Sequence, residues 1–126
     1  MIHFSAMNPK SLILLEFHKV LERLKAYASF DLSEKLAAKL RPTISLEKAR
    51  TFQEQTRQAR YLLSLTDALH FRGAVDMRPF ADQARHQMTL EAPNMLAIRN
   101  TLVVSRDARS FLLEKSAEAP VLAEMA

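Results

Sequence analysis

The 126-residue chain is 48% hydrophobic, apolar enough for one continuous core, too apolar for disorder, and too short for a second domain of usual size. One glycine against five prolines argues against a strand-rich fold built on hairpin glycines, and the lack of cysteine removes disulfides, thiolate nucleophiles and thiolate metal sites together. A net charge of +4 suits a polyanionic partner, yet acids interleave with bases and no long run of like charge occurs, so a mixed solvated surface is the favoured reading. No stretch approaches the roughly 18 apolar residues of a membrane span. Met1 to Lys10 also lacks the basic-then-apolar order of a signal peptide. The expectation is an all-α, cytoplasmic protein of about five helices, bundle-like.

Residues 1–8 read as a flexible leader. Asn8 is placed to cap a helix and Pro9 to occupy its first position, where a missing N–H costs nothing. That first helix is predicted to run to about Ala28. Leu14, Phe17, Leu21, Leu24 and Ala28 follow the three-and-four spacing of one face, with Val20 beside them. Leu15, Phe17, Leu21 and Leu24 are expected in the core. Asp31-Leu32-Ser33-Glu34 has the form of a capping box, with Asp31 as cap and Glu34 reaching back. A second helix follows to Leu40 or Arg41, with Leu32, Leu36, Ala37 and Leu40 inward, and Pro42 stops it.

Ser45 is a suitable cap for a long third helix to about Asp67. Ala49, Phe52, Thr56, Ala59, Leu63 and Thr66 alternate three and four apart, a narrow seam of the kind used against another helix, and its dilution by Thr56 and Thr66 favours a buried bundle helix over a free-standing coiled coil. Between Asp67 and Arg78 the chain is irregular, and Gly73 is expected to supply a backbone angle that other residues avoid. Pro79 starts a short fourth helix through about Gln87, with Asp76 or the residues after it placed to cap it. Pro93 starts a fifth, to about Lys115, with Met95, Ile98, Leu102, Ala108 and Leu112 on its buried side. The helical segment is therefore 9–115, and residues 116–126 read as a tail, frayed or a truncated continuation.

Reactive groups are sparse. His3, His18, His70 and His86 form no H-x-x-x-H or H-E-x-x-H pattern, so no metal site is expected. Carboxylates stand beside lysines, as in Glu34/Lys35 and Glu47/Lys48, rather than paired on an apolar face as acid–base chemistry needs. One glycine builds neither G-x-x-x-x-G-K-[ST] nor G-x-G-x-x-G, so no catalytic residue and no cofactor site is expected in these residues. Arg99 and Arg106, seven apart on one helix face, are the candidate phosphate contacts. The aromatics fall mainly at core spacing, without the basic interleaving of single-strand readers.

The order of these elements resembles the second MutS subfamily of bacteria, the paralogues that lack the mismatch-reading domain. The resemblance is carried by Ser11-Leu12, Leu15-Glu16-Phe17-His18-Lys19-Val20-Leu21, Ala26-Tyr27-Ala28-Ser29, Leu36 through Leu40-Arg41-Pro42, Glu54, and Ala59-Arg60-Tyr61-Leu62-Leu63. It continues in Gly73-Ala74-Val75-Asp76-Met77-Arg78-Pro79, similar to that family's Gly-Ile-Asp-Ile-Arg-Pro loop, and in Leu96 through Leu102, Ser105-Arg106 and Phe111-Leu112. It covers about residues 7–113. Where the family often has a glycine early in the second helix this chain has Ser33, and where it usually has a Gly-Gly turn before the fifth it has His86-Gln87-Met88.

The resemblance implies the N-terminal part of a larger helical core domain in a longer protein. That protein would continue into an ATPase domain that binds ATP and Mg and dimerises, and often into a small nuclease domain. Family roles include binding branched or recombination-intermediate DNA, suppressing recombination and, in some members, acting on collided ribosomes. The segment itself would be structural, packing against the rest of the core and meeting DNA only through the whole protein. Alone it would expose an apolar face and self-associate, as a homodimer or otherwise. Two other readings stand beside this one: a free-standing helical adaptor gripping a partner through Ala49 to Thr66, and a nucleic-acid-binding module using Arg99 and Arg106.

Overall fold

The computed structural model describes residues 8–65 and 71–126. Most of the expected leader, His3, Thr66, the expected helix end at Asp67, and His70 lie outside them. Among the described residues there are seven helices and no strand. In chain order they are α1 (Pro9–Leu14), α2 (Phe17–Lys25), α3 (Asp31–Ala38), α4 (Leu46–Leu65), α5 (Arg78–Arg85), α6 (Ala92–Glu114) and α7 (Pro120–Ala123).

The first expected helix is two. Asn8 Oδ1 accepts from the Lys10 N–H at 2.9 Å and Pro9 opens α1. Glu16 then takes a left-handed backbone with φ 52° and breaks the path before α2. A single left-handed residue turns the helix axis, so apolar positions on either side no longer share one stripe. This corrects part of the expected core: Leu15 sits in the break and is 67% exposed, and Leu24 is 42% exposed. Phe17 and Leu21 are half-buried and line an open depression of about 420 Å³ with Pro9, Leu12, Ile13 and Ala38.

The start of α3 differs from the expected capping box. Asp31 is the first helical residue rather than the cap, and it pairs with Lys35 one turn on at 3.0 Å. The hydroxyl of Ser33 does the capping, accepting from the Phe30 N–H at 3.3 Å and donating to the Phe30 carbonyl at 2.7 Å. α3 ends at Ala38, short of the expected Leu40, and packs on α2. Ala37 is its one buried residue, while Leu36 and Leu40 stay exposed.

Ser45 Oγ accepts from the Lys48 N–H at 3.3 Å at the head of α4. The expected seam along α4 is corrected: Phe52, Thr56 and Leu63 face solvent, and Gln58 and Leu62 are the buried residues. The reason lies at the other end of the chain. Residues 115–118 turn back, and α7 docks on α4 and α6. Ala119 is fully buried, and the Leu122 N–H donates to Gln58 Oε1 at 3.2 Å. Residues 116–126, expected as a frayed tail, thus fold onto the two long helices and decide which side of α4 is inside.

Candidate functional site

Phe71 to Arg78 is the irregular stretch between α4 and α5. The Ala74 N–H donates to the Phe71 carbonyl at 3.2 Å, closing a turn whose third residue is Gly73 with φ +88°. That is the position that needs positive φ in a type II turn. Ala74 is buried. The Val75 N–H then donates to Thr101 Oγ1 at 3.0 Å, and the same hydroxyl donates to the Ala97 carbonyl within α6 at 2.9 Å. Thr101, itself buried, ties the loop to the middle of α6. Around this tie, Phe30, Leu32, Val75, Met77 and Val104 line an open, mainly apolar depression of about 460 Å³.

Asp76 fixes the exit of the loop. Its Oδ1 accepts from the Arg78 backbone N–H at 3.1 Å and from Arg78 Nε at 2.8 Å, and its Oδ2 from Arg78 Nη2 at 2.6 Å. Lys35 of α3 stands 3.9 Å from Oδ2. The side chain is only 11% exposed. The Arg78 hydrogen bonds hold its carboxyl down at about 2, against an ordinary 3.8. Pro79, next in sequence, occupies the first turn of α5. Gly73, Asp76, Arg78 and Pro79 thus form one turn-and-cap unit, a structural joint with no reactive group left open.

Arg99 and Arg106 both lie on the exposed side of α6. The Arg106 guanidinium is engaged by its neighbour, with Nη2 2.9 Å and Nε 3.0 Å from Asp107 Oδ1. Arg99 makes no ion pair with a described residue. The apolar side of this helix needs correction as well. Met95 and Leu102, expected inside, are each 55% exposed. The inward line runs through Ala97, Ile98, Thr101, Val104, Ala108, Phe111 and Leu112. A polar residue, Thr101, is the most buried of α6, a position that apolar periodicity does not mark.

The same holds for Gln58 on α4. Its Nε2 donates to Glu54 Oε1 at 2.7 Å while its Oε1 holds α7. Glu54 also takes Nε and Nη2 of Arg57, at 2.8 and 2.6 Å, and these bonds lower its carboxyl to about 2. Spacing gave no hint of Gln58. Asp76, placed from the sequence near the head of α5, does accept from that helix's first N–H, although the N-cap residue itself is Met77.

Among the described residues no group of His, Asp and Glu is placed to hold a metal ion. His18 is exposed beside the α1–α2 depression, and His86 Nδ1 lies 2.8 Å from the Asp82 carbonyl at the end of α5. No helix among the described residues is long and apolar enough to cross a membrane. What the surface does carry is apolar. Among the described residues the buried hydrophobic ones are Ala37, Leu62, Ala74 and Ala119, whereas twenty-one large ones are exposed, from Ile13 to Met125. The accessible area is 10328 Å², where a compact monomer of this mass shows about 6,800 Å².

The chain is 31% identical over 119 residues to "Endonuclease MutS2" of Pelotomaculum thermopropionicum, a match covering 94% of the chain and 15% of that protein. Proteins of the same name from Clostridium acetobutylicum and Geobacillus kaustophilus are 30% identical over 112 residues and 32% over 106. These matches cover 89% and 84% of the chain and 14% of each relative. The chain thus spans about one-seventh of the length of the curated relatives it matches. No family model matches it, and neither does any solved structure.

Proposed function

Because the chain is a segment of the MutS2 family, we infer that its work is structural: it supplies helices that the rest of a longer protein packs against. One observation carries this reading. An accessible area half as large again as that of a compact monomer, with large aliphatic side chains on the outer faces of α2, α4 and α6, is the surface of a core cut open. Relatives about six times as long have the chain to close it.

On the family resemblance, the segment is the N-terminal part of the helical core. The whole protein is a DNA-binding ATPase, taking ATP with magnesium in a domain beyond these residues, with an endonuclease activity in keeping with the relatives' name. Its substrates on that reading are branched or recombination-intermediate DNA, with suppression of recombination as the outcome and collided ribosomes as a further target in some members. The ATP site has no place in the present residues, since one glycine cannot build a phosphate-binding loop.

The exposed line Phe52, Thr56, Leu63 on α4 favours a second reading, an adaptor that grips a foreign helix. Reading the coding sequence beyond Ala126 separates the two. A continuation with G-x-x-x-x-G-K-[ST] several hundred codons on is expected, and a stop codon soon after Ala126 would replace the core-segment reading with the adaptor.

A further inference from the structure

Six exposed residues of α6, Met95, Arg99, Leu102, Arg106, Arg109 and Leu113, are spaced four, three, four, three and four apart. That alternation holds them in one line along five turns, roughly 27 Å. The line is open to solvent and is not purely basic. Met95 and Leu102 are more than half exposed, Leu113 nearly so, and each stands beside an arginine. Asp107 engages Arg106 from the side, while Arg99 and Arg109 have no ion pair with a described residue. The loop tie at Thr101 lies on the inward side of the helix, away from this line.

Phosphate-binding faces gain nothing from aliphatic residues between the arginines, because a nucleic-acid backbone offers no apolar surface to bury them. A helix does. We propose that the outer face of α6 docks one acidic amphipathic helix from the remainder of the same polypeptide, with aliphatic residues on Met95, Leu102 and Leu113 and carboxylates on Arg99, Arg106 and Arg109. The heptad spacing selects a helix as occupant, and the three arginines select its charge. The segment's own surplus of bases over acids, 18 against 14, is of the matching sign. The source is the same polypeptide because the relatives carry some six-sevenths of their length beyond what this chain matches. This rests on the core-segment reading and adds the face and the chemistry of what covers it.

The test is amide hydrogen exchange across residues 95–113, in the 126-residue chain diluted until light scattering reads the monomer mass and in the full-length protein. Each is compared with its R99E/R109E variant and with a control reversal on α4, R50E/R60E. The proposal expects α6 to exchange at least tenfold more slowly in the full-length protein than in the isolated chain. R99E/R109E should remove most of that difference, while leaving exchange in the isolated chain unchanged. The neutral pair R99Q/R109Q should give a smaller loss of the same sign, and R50E/R60E none. Binding of both full-length proteins to a synthetic four-way DNA junction is measured alongside. Full α6 protection in the R99E/R109E protein overturns the proposal, and if junction affinity falls at the same time the face belongs to DNA. Equal exchange in the isolated and full-length wild-type chains is a different failure, since it sinks the core-segment reading itself.

Discussion

Gln87 occupies a place where glycine is the ordinary residue. At the end of α5 the Met88 N–H donates to the Gln83 carbonyl and the Gln87 N–H to the Ala84 carbonyl, both at 3.0 Å, with Gln87 at φ 56°. This is a Schellman closure with a side chain in the left-handed position. Gln87→Gly relieves the Cβ clash and should stabilise by about 1 kcal/mol, seen as a melting midpoint higher by about 4 °C. An unchanged or lowered midpoint would show that the position is not strained. Thr101→Val is the converse case. It keeps the volume but leaves the Val75 N–H without its acceptor, at an expected cost of about 1–3 kcal/mol in urea unfolding. Asp76 and Glu54 set the acid limit. Both carboxyls sit at about 2 in the folded chain, below their unfolded values, so their stabilisation is complete above about pH 5 and is lost as the pH falls towards 2. Asp76→Asn should make the acid unfolding curve shallower, and an unaltered curve would remove Asp76 from the account. Residue types signalled the glycine turn and the Asp76 cap, because those roles demand particular chemistry. Thr101 and Gln58 were illegible, since their burial depends on partners 26 and 64 residues away.

Elements were legible where a local stop signal exists. Pro42, Ser45, Pro79 and Pro93 stand within a few residues of helix ends as placed from the sequence alone. The break at Glu16 was not, for no proline or glycine marks it and the apolar spacing runs on through it. Nor was α7, whose four residues have too little periodicity to register and which takes its order from contact with α4 and α6. Those two long helices have little direct contact with each other, and α7 touches both. Removing residues 116–126 should therefore expose Leu62 and loosen α4 from α6. Gln58→Leu, which deletes the acceptor of the Leu122 N–H, should release α7 while keeping an apolar contact. Hydrogen exchange at Leu122 and Ala123 reads the release directly: faster exchange there with α3 unchanged is expected, and unchanged exchange would show that Gln58 does not hold the clip.

At the scale of the whole molecule, the all-α class followed from composition and the family from the order of helices and the Gly73–Pro79 loop. Which faces are inside did not follow, and the reason is physical. Apolar periodicity names the residues that must leave water in the finished protein, and the segment alone buries only some of them. Phe52, Leu63, Met95 and Leu102 read as core in the sequence and stand at the surface here. On the present account both are right, since their cover lies beyond these residues. Light scattering on the isolated 126-residue chain over a broad concentration series tests this most directly. The account predicts an average mass that climbs above 14.4 kDa as concentration rises, because exposed apolar faces pair with one another when their own cover is missing. A mass that stays at the monomer value throughout would contradict it.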